Sequence, residues 1–283
     1  MKRISQSIAL AHAASIAVFL LSFGTCLAQG AEREKTDSNF EYLRQLADAI
    51  KIRPAGGAAD VTEFAETTPV LRFGDATRET SDGVIWKIGR NRPLAVVAME
   101  IVHKADHKDV NYEFLCLTEQ KFEMVARPGW SWKPSASALT MKPLNGVPAP
   151  SLSKQTRLRQ LKQLARRFEA SEVYVGQNYR LRLMPQPIDQ YVVDGRAGLD
   201  GAVFAFAHGT NPEVLLLLEA TDNGWQFGFA RLCGAAPQAT FDGRIVWTKP
   251  AMDEIVSSWT SPYMGDAYTI DDQRSNLSAP QAK

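Results

Sequence analysis

The feature that most constrains this chain is that it carries one pattern twice. Asp82–Glu100 is echoed by Asp200–Glu219. The echo extends upstream without a gap at a spacing of about 118 residues. Leu43-Arg-Gln-Leu-Ala47 falls on Leu161-Lys-Gln-Leu-Ala165, Ile50 on Phe168, Pro69 on Pro187, Phe73 on Tyr191 and Arg78 on Arg196. After one inserted residue, Pro93 meets Pro212 and Glu100 meets Glu219. Chance supplies a shared Asp-Gly readily. It does not readily supply one offset that aligns a helical stripe, a proline and a strand alternation. An internal duplication follows, with a unit too large for a solenoid.

Each unit opens on a helical pattern. Ser38 and Glu41 form a capping box, and Phe40, Leu43, Leu46, Ala47 and Ile50 share a face. In the second unit Leu158, Leu161, Ala165 and Phe168 form the stripe. The period then changes to two. Val84, Trp86 and Ile88 alternate with Ile85 and Lys87, and 94–101 is an apolar run suited to a strand buried on both faces. Asp222-Asn-Gly224 is a hairpin turn. The expected fold is α+β, as two tandem homologous halves, each one amphipathic helix packed on about five antiparallel strands. The expected divisions are a signal peptide (1–28), a first repeat (29–141), a linker (142–152), a second repeat (153–250) and a partly disordered C-terminal extension (251–283).

Lys2-Arg3, the apolar run 8–23 and the small residues before Gln29 predict a secretory signal peptide cleaved near Ala28. The apolar run contains His12 and is shorter than the ~20 residues a spanning helix needs. A lipid anchor on Cys26 is the weaker alternative, because Phe23-Gly-Thr fits the small-residue box poorly. The mature protein is therefore expected to be exported to the periplasm, cell surface or medium, and not to be transmembrane. The chain has 32 Lys and Arg against 31 Asp and Glu, and losing Lys2 and Arg3 with the leader moves the formal charge from +1 to −1. That balance offers no footprint for DNA or RNA.

The order helix, Pro-x-Pro, Asp-Gly-apolar, Pro-Glu-Val-Leu-Leu-Leu-Leu-Glu, repeated behind a signal peptide, resembles a family of secreted planctomycete-type bacterial proteins. Leu181–Ile188, Asp200–Glu219 and Leu158–Phe168 carry the resemblance most specifically, within roughly 39–250. It implies a bacterial cell-envelope setting and brings no catalytic residues with it.

Several groups have the chemistry of a site. Glu100 and Glu219 are duplicated carboxylates that a pseudo-twofold axis could bring together as an acid/base pair; otherwise each marks a strand end at solvent. His103, Asp106, His107 and Asp109 crowd one segment in metal-ligand fashion, opposed by Lys104 and Lys108. Arg166 and Arg167 belong to a basic side of the second helix that the first helix lacks, suited to an anionic envelope component or to plain solvation. Trp130, Trp132 and Trp247 are candidates for a stacking platform. Cys116 and Cys233, left after cleavage, could bridge or remain as two buried thiols. No phosphate loop, nucleophile elbow or His-Glu-x-x-His motif is present. The expected function is a non-catalytic binding or interaction module of the envelope with an unknown ligand and no cofactor. An envelope hydrolase using the paired carboxylates is the alternative, and a structural envelope component the third.

Overall fold

The computed structural model describes residues 38–55, 66–75, 80–193, 200–252 and 258–270. The signal peptide expected at 1–28 lies outside the described residues. The chain divides after Tyr42, and everything from Leu43 onward belongs to one unit. Helix α1 spans 38–48, and in its later part Leu43 and Ala47 are buried. Helix α2 (Lys154–Ala165) begins where the Ser153 hydroxyl accepts the Thr156 N–H, a cap for one orphan donor. It buries Leu161, Leu164 and Ala165. Phe168, expected on the helical stripe, opens a strand instead. Among the described residues no helix is long and apolar enough to cross a membrane.

The rest is strand. The first half has β1 (Lys51–Pro54), β2 (Thr67–Asp75), β3 (Thr80–Ile88), β4 (Ala95–His103), β5 (Lys108–Cys116), β6 (Phe122–Arg127) and β7 (Trp130–Trp132). Then come β8 (Lys142–Leu144) and α2. The second half has β9 (Phe168–Tyr174), β10 (Gln177–Leu183), β11 (Asp189–Val192), β12 (Asp200–His208), β13 (Asn211–Thr221), β14 (Gly224–Arg231), β15 (Ala236–Phe241) and β16 (Arg244–Thr248), with β17 (Tyr263–Ile270) last.

The expected α+β fold is overturned. Seventeen strands stand against two helices among the described residues, so the protein is mostly β. The strands make a nine-stranded, a five-stranded and a three-stranded sheet, all antiparallel in their pairings, and not two copies of five strands under a helix. The physical reason lies in strands that do not look apolar. On β10, Tyr179 and Leu181 alternate with Arg180 and Arg182; on β9, the inward series Phe168, Ala170 ends in a carboxylate, Glu172. The segment expected as linker carries β8, and the C-terminal extension, expected to be partly disordered, carries β17.

The pairings nevertheless recur in order. In the first half β1 pairs β6, β6 pairs β7, β2 pairs β3, β3 pairs β4 and β4 pairs β5. In the second, β9 pairs β15, β15 pairs β16, β11 pairs β12, β12 pairs β13 and β13 pairs β14. The additional second-half strand is β10, joining β9 to β12. Its counterpart by offset falls within 56–65, outside the described residues. Each half is finished by a strand that follows the other: β8 pairs β14, and β17 pairs β5.

β13 is buried on both faces, which accounts for its run of leucines. Leu216 and Leu218 face α2 with Phe204, Phe206 and Phe229. Leu215 and Leu217 face the first half, packing with Ile85, Val96, Ala98 and Leu115. Burying one such leucine stabilises the fold by about 1.5–3 kcal/mol, so this strand anchors two cores at once.

Candidate metal centre

β12 and β13 are joined by the two residues Gly209-Thr210, with Gly209 at φ 61°. Asn211 faces His208, and after it comes Pro212, which has no N–H to offer a ladder. The register slips at this point: Phe206 faces Val214, Ala207 faces Pro212, and Glu213 is the extra residue of a β-bulge. A bulge re-aims the side chain it carries. Glu213 still gives its carbonyl to the Leu232 N–H at 2.7 Å, so its backbone remains tied to the sheet.

Three side chains meet here. Glu172 arrives from β9 and is 1% exposed; Glu213 is 2% exposed. His208 ends β12 with its side chain 33% exposed and its ring beside Tyr179 at 4.6 Å. His208 Nδ1 lies 2.9 Å from Glu172 Oε1. Candidate ligand atoms from all three lie within 4.8 Å of one another. One imidazole and two carboxylates suit a divalent cation of intermediate softness. The half-open histidine side leaves room for further ligands from solvent.

The surroundings are electronegative. The Cys233 thiol is pushed up first by burial, then by Glu213 and Glu172. Glu113 on β5 is held well above the usual carboxylate range by burial first, then by Glu100 and Glu213. Tyr263 is likewise pushed up by burial and then by Glu113. The buried cation nearby, Arg231, donates to the carbonyls of Cys233 (2.7 Å), Pro250 (3.0 Å) and Ala235. Those hydrogen bonds go to neutral backbone, not to the carboxylates.

The first half supplies a control. Pro54 on β1 faces Phe122 as Glu172 faces Pro237. Arg90 follows Gly89 as His208 follows Ala207. The Leu94 carbonyl accepts the Leu117 N–H at 2.9 Å as that of Glu213 accepts Leu232. One backbone frame thus carries Pro54, Arg90 and Leu94 in one copy and Glu172, His208 and Glu213 in the other. The fold does not require the three ligands.

None of the three stands among the candidates the sequence nominates. A position-by-position comparison of the copies, continued one residue past the Pro93/Pro212 match, carries the signal as Leu94 against Glu213. Glu219 is buried and accepts hydrogen bonds from Tyr191 Oη and Arg92 Nε, each at 2.7 Å. Glu100 accepts from Thr80 (3.0 Å) and Asn111 (3.1 Å). Glu219 lies six residues along β13 from Glu213, roughly 20 Å at the rise of a strand, whereas Glu100 and Glu213 both act on Glu113. Glu100 and Glu219 thus keep separate sets of hydrogen-bond partners.

His107 sits in the β4–β5 turn between Asp106 (2.5 Å) and Asp109 (3.5 Å), and its hydrogen bond holds Asp106 below the usual range. His103 stands at the base of that turn, opposite Lys108. Trp132 is buried, its indole N–H donating to the Ser261 carbonyl at 2.8 Å. Trp130 is half-buried among Tyr112, Trp259 and Tyr268. Trp247 stacks on Phe229 at 5.5 Å. Arg166 is exposed, while Arg167 pairs with Asp242 and lies over Phe241. Arg157, on the same basic side of the helix, is buried and bound to Asp200 at 2.7 Å. Cys116 and Cys233 are free, buried thiols, so the possible disulfide is not formed; burial pushes Cys116 up to about 11. Comparison with protein-family models, curated proteins and solved structures found no match, so the geometry alone carries the functional argument.

Proposed function

We propose that the protein is an exported, non-catalytic binding module of the bacterial cell envelope, and that its ligand includes a divalent cation held by Glu172, His208 and Glu213. The contrast between the copies carries this reading. Two buried carboxylates close together repel and lose hydration, and a shared cation offsets both costs. The first copy avoids them with Pro54 and Leu94. A mixed nitrogen and oxygen set favours Zn²⁺ or Mn²⁺ over Ca²⁺, which prefers six to eight oxygens. A hydrolytic reading through Glu100 and Glu219 draws no support from their separate surroundings.

Equilibrium dialysis against Zn²⁺, Mn²⁺ and Ca²⁺, with metal analysis, tests this. One equivalent of Zn²⁺ or Mn²⁺ is expected, together with a rise in Tm. At a hundred times Kd the stabilisation is about 2.7 kcal/mol. Glu213→Leu installs the residue that the first copy carries in the same frame. It should abolish binding, while Glu172→Gln, which keeps the shape of the site, should weaken it, and circular dichroism of both metal-free variants checks that they are folded. Absence of stoichiometric metal, or binding unchanged in Glu213→Leu and Glu172→Gln, would sink the proposal.

A further inference from the structure

Asp82 on β3 and Asp200 on β12 stand at matching positions, yet each is met by an arginine from a different place. In the first half Arg72 on β2 takes both oxygens of Asp82, Nε reaching Oδ1 at 2.9 Å and Nη2 reaching Oδ2 at 2.7 Å. At the same spacing the second half has Gln190, which faces Ala202 as Arg72 faces Val84. Asp200 is held from α2 instead. Arg157 Nε and Nη2 lie 2.7 and 2.6 Å from Asp200 Oδ2. Asp200 Oδ1 takes no hydrogen bond among the described residues and is not shut off from solvent.

With the arginine on the helix, the surface of β11 is left uncovered. A cavity of about 430 Å³ lies there, between Leu158 and Leu161 of α2 and Val192 and Asp200 of the sheet. That volume falls within the ~300–1,000 Å³ of small-molecule pockets. Gln190 and Val192 share one face of β11, and Leu158 and Leu161 share one face of α2. The polar rim is unspent. Among the described residues the side chains of Lys154, Gln155 and Gln190, which border the cavity, make no hydrogen bond or ion pair.

The occupant follows from what these walls reject and what they offer. A cation would meet the Lys154 ammonium and, behind Asp200, the Arg157 guanidinium. An anion would meet the open oxygen of Asp200. What is offered is one acceptor and two carboxamides, each both donor and acceptor, around branched apolar side chains. A neutral ligand with hydroxyl groups, an amide and a small apolar group answers all of these.

We propose that this cavity binds an N-acetylhexosamine. Its hydroxyls bond to Asp200 Oδ1 and Gln155, its acetamide to Gln190, and its acetamido methyl packs on Leu158 and Val192. A free monosaccharide and the end of a glycan share this chemistry. The proposal goes beyond the cation site and does not rest on it. Asp200 and His208 close opposite ends of β12, roughly 26 Å apart at the rise of a strand.

Isothermal titration calorimetry of the purified protein with N-acetylglucosamine tests it. One saturable site is expected. Glucose, glucosamine and acetate should each bind at least ten-fold more weakly, lacking the acetamide or adding a charge. The β-1,4-linked trimer separates the two sources: tighter binding than the monomer assigns the end of a glycan, and equal binding a free sugar. Gln190→Arg brings the first half's arginine within reach of Asp200 Oδ1, so its Tm should hold or rise while binding is lost. Gln155→Ala, at an exposed helical position that alanine suits, should weaken binding roughly five-fold. No saturable binding of N-acetylglucosamine, acetate or glucosamine bound as well as N-acetylglucosamine, or binding unchanged in the two variants would overturn the proposal. So would binding lost on adding a chelator, which would move the sugar to the cation site.

Discussion

At the scale of single residues, the informative positions are carboxylates wholly or partly withdrawn from solvent. Glu113 has an ordinary value of 4.5, raised by burial and by the nearby Glu100 and Glu213. The folded state therefore binds a proton that the unfolded chain releases. For such a group stability is full below the unfolded value and falls as pH rises towards the folded one. Glu113→Gln cannot ionise, so it should match the wild type near pH 4 and exceed it near pH 8. Urea unfolding at the two pH values checks this, and equal curves at pH 8 would refute it. The cation-site residues were legible in the sequence only as a difference. Glu213 looks like part of an apolar strand until it is set against Leu94. His208 looks like a strand end until it is set against Arg90. A carboxylate at an inward position is hard to recognise without its copy, because burial is a property of the fold and not of the residue.

At the scale of elements, the matched Asp-Gly of β3 and β12 has a packing cause. A Cβ on Gly201 would stand 2.3 Å from the Tyr191 ring, and one on Gly83 would stand 2.4 Å from the Phe73 ring. In both halves an aromatic ring from the paired residue of the neighbouring strand occupies the space above the glycine, which fixes β2 on β3 and β11 on β12. Only Tyr191 has a hydroxyl, and it donates to the buried Glu219. Gly83→Ala should cost about 1–3 kcal/mol through overpacking. Gly201→Ala displaces the ring and strips a donor from Glu219, adding roughly 1–3 kcal/mol. Denaturant melts of the two variants compare them, and equal losses would contradict the role given to the hydroxyl. The aromatic and glycine positions, the hairpin turn at Asp222-Asn-Gly224 and the leucine run were readable because each follows from local sterics or alternation. β9, β10, β8 and β17 were not, for reasons set by their neighbours. Arginines line the outward side of β10, a carboxylate ends the inward series of β9, β8 has three residues, and β17 gains its order from pairing with β5.

At the scale of the molecule, the same order of pairings occurs in both halves, and the exchange of edge strands shows how the halves are held. Tyr263 faces Leu115 and Tyr268 faces Val110 along β5, while Leu144 faces Trp225 and Lys142 faces Phe227 along β14. Each half thus covers an edge that would otherwise present unpaired backbone groups. Ion pairs join the halves as well: Arg92 to Glu219 at 2.7 Å, and Lys87 to Asp189 at 3.2 Å. The covalent link between the halves should then contribute little to their association. Asn145 and Gly146 offer a place to cut, since both are exposed and the space around Gly146 is open. A protease site inserted between them leaves β8 on the N-terminal fragment and β17 on the C-terminal one. After cleavage the fragments should co-elute on size exclusion and separate only in denaturant, and their Tm should rise with concentration because unfolding now releases two chains. Fragments that part under native conditions would show that the linker, and not the exchanged strands and shared leucine core, holds the halves together.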